Sequence, residues 1–87
     1  MEEIENSLMI LFLSDCKIIS QIEEIAGEIG DPNCKLTEPF VINSDDTLTP
    51  WMIEYTDQNT FMIHSDKILT IMKPKQKYIE KYKSLLE

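Results

Sequence analysis

The longest uninterrupted apolar run in the chain is LMILFL, residues 8–13. At six residues it falls far below the roughly 20 that a helix needs to cross a bilayer. It has the length of a β-strand buried on both faces. The other apolar stretches are broken by polar corners, so the chain reads as a succession of short strands. Ser14-Asp15 follows the first run as a tight turn, because aspartate tolerates turn geometry and bonds its own backbone.

The next segment, KIISQIEEIA, supports two readings. Ile18, Ile22, Ile25 and Ile29 fall on one helical face, and the glutamine, glutamate and alanine content favours helix. The pair Ile18-Ile19 directly after a hairpin-like turn favours strand instead. AGEIGDPN, with Gly27, Gly30 and Pro32, is a loop. CKLTEPFVI (34–42) is a strand in which Pro39 demands an edge, a bend or a bulge. After a turn at residues 43–46, LTPWMIEYT alternates Trp51, Ile53 and Tyr55 against Met52, Glu54 and Thr56, the period-two pattern of a half-exposed strand. TFMIH, a polar break at Ser65-Asp66, and KILTIM supply the last strands. Pro74 suits the first position of a helix. The residues after it place Tyr78, Ile79, Tyr82, Leu85 and Leu86 on a shared face. Five or six strands and a C-terminal helix suggest a small, mainly β barrel.

A chain of 87 residues makes one domain. It buries only about 60% of the surface that its unfolded form exposes. Its two cysteines, Cys16 and Cys34, have neither a metal-ligand spacing nor the number for a disulfide framework. Oligomerisation is the remaining source of burial. The N-terminus, MEEIENS, is acidic where a signal peptide requires positive charge. The expectation is a cytoplasmic protein with reduced thiols and no membrane partner.

Net charge is −8, and there is no arginine. Residues 1–44 carry nine acids against Lys17 and Lys35, for −7; residues 45–87 carry seven acids and six lysines, for −1. Arginine is the preferred side chain for bidentate phosphate recognition, and phosphate neutralisation dominates nucleic-acid affinity. The composition therefore argues against strong general nucleic-acid binding by a single chain, and any such binding must use a local patch. The lysines at 73, 75, 77, 81 and 83 form the one basic cluster. It reads as a solvated helix face, a phosphate contact, or a contact for an acidic neighbouring surface.

His64, Ser65 and Asp66 contain the residue types of a catalytic triad. Consecutive residues diverge in a strand or turn, however, whereas a nucleophile and its base must converge. A polar corner between strands is the simpler reading, and no cofactor or metal is expected. Asp31, Asn33 and Lys35 alternate as in a calcium loop, but Leu36 and Ile42 stand where that motif needs glycine and glutamate. Trp51, Tyr55 and Phe61 are read as barrel core rather than a base-stacking platform.

LMILFLSDCKIISQIEEI, NCKLTEPFVI and FMIHSDKILTIM together resemble the two-part signature of Sm and Sm-like proteins, and in particular the short Sm-like proteins of cyanophages. Asn33 and Leu36 keep the asparagine-to-leucine spacing of the first part. Met62-Ile63, His64-Ser65 and Ile68 to Ile71 follow the second, with His64-Ser65 in place of Arg-Gly. The resemblance covers roughly residues 8–73, leaving residues 1–7 as an acidic extension and 74–87 as the helix. It implies a strongly bent five-stranded barrel and resolves residues 17–26 as strand. It also implies a non-enzymatic homo-oligomeric ring of roughly five to seven subunits, closed by strand pairing between neighbours. Single-stranded RNA is the ligand it implies at the pore. Asn33 would position a base, His64 and Ser65 would occupy the corner, and Lys67 would supply charge. The alternative is a protein-interaction scaffold, with a host or phage protein as partner and no RNA-binding activity.

Overall fold

The computed structural model describes residues 6–26 and 28–86. Most of the acidic extension (residues 1–5) and Gly27 of the AGEIGDPN loop lie outside the described residues. Among the described residues, six strands form one antiparallel sheet: β1 (Leu8–Phe12), β2 (Lys17–Glu24), β3 (Cys34–Ile42), β4 (Leu48–Pro50), β5 (Thr60–Ile63) and β6 (Thr70–Met72). A helix, α1 (Gln76–Leu86), follows them. The strand order is β4-β3-β2-β1-β6, with β5 also paired to β3. Strands β4 and β6 end this path, and the sheet is not closed into a barrel.

The β1–β2 hairpin runs in register from Leu8 opposite Gln21 to Phe12 opposite Lys17. It closes where the Leu13 amide donates to the Cys16 carbonyl at 2.9 Å, leaving Ser14-Asp15 as the tight turn. The ambiguous KIISQIEE segment is β2. Its side chains are buried on alternate faces, because Ile18 and Ile19 are both fully enclosed.

Pro39 produces a bulge in β3. Ile19 faces Phe40 and Gln21 faces Thr37, so Glu38-Pro39 is the surplus in β3 opposite Ser20. Glu38 takes a left-handed φ of 52°, which a non-glycine residue adopts only when its surroundings hold it there. The buried Ser20 hydroxyl lies within hydrogen-bond reach of the Thr37 and Gln21 carbonyls, at 3.1 and 2.9 Å.

The bulge divides the outer partner of β3. Strand β5 pairs with its first half, Cys34 to Thr37, and β4 with its second, Phe40 to Ile42. The chain between them leaves the sheet. Its ends are clamped at the bulge: the Trp51 amide donates to the Pro39 carbonyl at 2.9 Å, and the Glu38 amide to the Asn59 carbonyl at 2.7 Å. The expected strand through Trp51–Thr56 is therefore replaced by turns, with Met52 at φ 63° and its carbonyl accepting from the amides of Tyr55 and Thr56. Tyr55, expected in the core, is 81% exposed. The final strand is also shorter than KILTIM, because Ser65–Lys67 forms a 3-10 turn before it.

One core cluster joins Leu8, Ile10, Ile19 and Phe40 to Tyr82 of the helix, with Ile42, Leu48, Tyr78, Ile79 and Leu86 around them. Phe40 and Tyr82 meet edge to face, with centroids 5.6 Å apart, a favourable aromatic arrangement. Leu85, expected on the same helical face, is half exposed. Leu11, Ile18 and Leu36 are fully buried outside this cluster. They point to the other side of the sheet, which must curl to cover them. The tyrosine hydroxyl fixes the helix on the bulge. Tyr82 Oη lies 2.8 Å from the Glu38 carbonyl and 3.2 Å from that of Thr37, and accepts from Gln21 Nε2 at 3.2 Å.

Candidate functional site

Two parts of the chain named from the sequence meet at the end of the β3–β5 ladder. Cys34 pairs with Ile63, so Asn33 and the residues after Ile63 are neighbours. The loop before β3 is closed by the Ile25 amide donating to the Asn33 carbonyl at 2.9 Å. Asn33 then holds the opposite corner with its side chain. Its Oδ1 accepts from the Ser65 amide at 2.9 Å, and its Nδ2 donates to Ser65 Oγ at 3.0 Å. The corner is a single 3-10 turn, in which the amides of Lys67 and Ile68 donate to the carbonyls of His64 and Ser65, both at 3.1 Å.

The four sequence-derived site residues thus divide into two pairs. Asn33 and Ser65 bind each other. His64 and Lys67 line a different feature, a depression of about 570 Å³ walled by Leu13, Trp51, Met62, Ile63 and Leu69, with Ser14, Asp15 and Asp66 at its margin. A volume of this size suits a small organic group. Two carboxylates against one lysine make the depression a poor phosphate site. Its apolar walls, with the His64 ring among them, suit a planar heterocycle better.

Ser65 has its hydroxyl bonded to Asn33 rather than to His64, so these neighbours do not form a nucleophile–base pair. Among the described residues, no three histidine, cysteine, aspartate or glutamate side chains gather as a metal site. Both cysteines are free thiols. Burial, reinforced by a hydrogen bond that the thiol donates to the Asp15 carboxylate and by the charge of that carboxylate, pushes the Cys16 thiol up to about 11. Burial likewise raises Cys34, with Glu24 adding to the effect.

The lysine cluster is partly committed to its own chain. Lys77 Nζ lies 3.6 Å from Asp46 Oδ2, and Lys81 Nζ donates to the Asp46 carbonyl at 2.9 Å. Both ammonium groups also lie over the Tyr78 ring, 5.0 and 5.7 Å from its centroid. Tyr78 Oη donates to Asp46 Oδ1 at 2.9 Å. That bond first, and Lys77 second, lower the Asp46 carboxyl below its ordinary value. Asp46, read from the sequence only as part of the 43–46 turn, is the docking point of the helix. The meeting of Leu13 and Asp15 with Trp51 around the depression was equally invisible, because they come from two segments far apart in the chain and carry no shared motif.

A family model described as a family of unknown function, DUF6561, matches residues 5–87 of the chain. No curated protein matches it. Among the described residues no helix is long and apolar enough to cross a membrane.

Proposed function

The chain belongs to the DUF6561 family, whose function is unknown, and we propose that it is a non-enzymatic Sm-like protein. In this reading copies assemble into a closed homo-oligomeric ring, with single-stranded RNA held at the 64–67 corners. The observation that carries it is the pair of outer strands, β5 and β6, on either side of that corner. Among the described residues, strand β5 pairs only with β3, and β6 only with β1, so each has an unpaired side there. An open edge invites another strand. Here the edges bear half-exposed Met62, Ile71 and Met72, with Leu69 at 62%. Pairing β5 of one copy with β6 of the next would satisfy both edges and bury these side chains.

Within that assembly Asn33 acts as a positioning residue that fixes the corner through Ser65, while His64 presents its ring to a base and Lys67 offers charge. Asp15 and Asp66 oppose phosphate, so the expected affinity is modest and falls with salt.

Light scattering over a range of concentrations tests the assembly, and fluorescence anisotropy with short oligouridylate and oligoadenylate tests the ligand. A multiple of the chain mass and saturable binding that weakens on His64→Ala are the expected results. A monomer at all concentrations removes the ring. A ring that binds neither oligonucleotide better than a salt-matched acidic control removes the RNA role, and leaves the interaction scaffold.

A further inference from the structure

A second cavity, of about 290 Å³, lies beside the bulge. Its apolar walls are Pro39, Phe40, Pro50, Trp51, Ile53 and Phe61, and its polar margin is Glu38, Asp57, Gln58 and Asn59. The rings of Trp51 and Phe61 stand 5.2 Å apart, tilted by 55°, so they form two inclined walls. Among the described residues, the margin brings two carboxylates and no cationic side chain. Its amide donors are engaged: Asn59 Nδ2 donates to Glu38 Oε1 at 2.8 Å, and Gln58 Nε2 to the Thr60 carbonyl at 2.7 Å. The polar capacity left for a ligand is dominated by negative charge and acceptors.

We propose that this cavity binds an alkylated ammonium group, with Trp51 and Phe61 as aromatic walls and the carboxylates of Glu38 and Asp57 as its counter-charge. An ammonium that carries methyl groups is cationic yet weakly hydrated, and it is attracted by the faces of aromatic rings. A bare ammonium would forfeit hydration that these apolar walls cannot replace, and an anion meets only like charge. The site is organised in advance. Glu38 is held at its carboxylate and its amide by Asn59, and its carbonyl by the Tyr82 hydroxyl. Trp51 is held by its amide on Pro39. The inference is independent of the ring and of RNA.

Trp51 is the only tryptophan, so its emission reports binding. Because it also walls the larger depression, the variants at Asp57 and Phe61, which line only this cavity, assign the change to it. Choline chloride should change that emission saturably. The neutral isostere 3,3-dimethylbutan-1-ol should bind about tenfold more weakly, a difference of about 1.4 kcal/mol in binding free energy. Asp57→Asn, at an exposed loop position, should weaken choline by roughly threefold or more without altering the isostere. Phe61→Leu should weaken both. A peptide bearing trimethyl-lysine serves as a further arm: tighter binding than choline assigns the group to a protein, and equal or weaker binding to a small molecule. The proposal is overturned if choline gives no saturable change, or if isostere and choline bind equally. It is also overturned if Asp57→Asn, with an unchanged circular dichroism spectrum, leaves choline affinity intact.

Discussion

Asn33 and Ser65 are 32 positions apart and hold each other through two hydrogen bonds, one in each direction across the amide. Each bond is exposed, so together they contribute only about 1 kcal/mol. Their importance is geometric, because they tie the loop before β3 to the turn between β5 and β6. Asn33→Ala should leave global stability within about 1 kcal/mol of the parent and speed hydrogen exchange at the Ser65 amide. Asn33→Asp keeps an acceptor for that amide while losing the donor to Ser65 Oγ, and should restore most of the protection. Equal exchange in all three proteins would show that the bonds do not hold the corner.

The hydroxyl of Tyr82 is the junction between helix and bulge. Tyr82→Phe keeps the ring packed on Phe40 but removes partners from Gln21 and from the Thr37 and Glu38 carbonyls. Groups left unsatisfied in a buried site cost about 1–3 kcal/mol, and urea unfolding should show that loss. Tyr82→Ala adds a cavity and should cost about 3–5 kcal/mol. Removing residues 75–87 to test the lysine tail would expose the same core, so neutralising Lys73 and Lys75 is the cleaner probe of a surface role.

The strands were legible because apolar runs and polar corners follow the local chain. Ser14-Asp15, the 43–46 turn and the break after His64 all lie where short-range chemistry puts them. The stretch from Trp51 to Thr56 misled for a physical reason. Its alternation satisfies the strand pattern, but the outer edge of β3 is interrupted by Glu38-Pro39, and no local signal in residues 51–56 records that loss. Pro39 did announce an edge, a bend or a bulge, though not that a bulge would divide the next strand in two. For the site, the residue types at positions 33 and 64–67 were visible through a resemblance. Their division into a clasp and a separate depression depends on ladder register, which single-chain patterns do not specify.

Asp46 links helix docking to pH. Its carboxyl is lowered in the folded state, first by the Tyr78 hydroxyl and then by Lys77. A depressed folded value means that the charged form favours folding. That contribution is complete above the ordinary value of 3.8 and is lost as pH falls through the depressed one. The thermal midpoint should therefore fall more steeply below about pH 4 in the parent than in Asp46→Asn. Parallel pH profiles would show that the carboxylate plays no part.

Cys16 should be nearly inert. With its thiol pushed up to about 11 from 9.0, it carries roughly 100-fold less thiolate at pH 8 than an ordinary cysteine, and the thiolate is the reacting form. Cys34 is both raised and buried. Iodoacetamide at pH 8 should leave the folded protein almost unmodified over a period that alkylates free cysteine fully, and should add two groups in urea. Rapid modification of Cys16 in the folded state would contradict the burial and Asp15 contact that raise it.

The open edges make a distinguishable prediction about assembly. Ile71 is 51% exposed and Met62 is 45% exposed, so Ile71→Lys or Met62→Lys removes little burial from the single chain and should change its intrinsic stability by less than about 0.5 kcal/mol. Lysine on an edge strand opposes pairing with another chain. If β5 of one copy meets β6 of the next, either substitution should lower the mass seen by light scattering while the circular dichroism spectrum is retained. Lys35→Ala, on the interior strand β3, should leave the mass unchanged. A parent assembly that survives both edge substitutions would place the contact elsewhere, with the exposed Met52, Ile53 and Tyr55 as the next surface to alter.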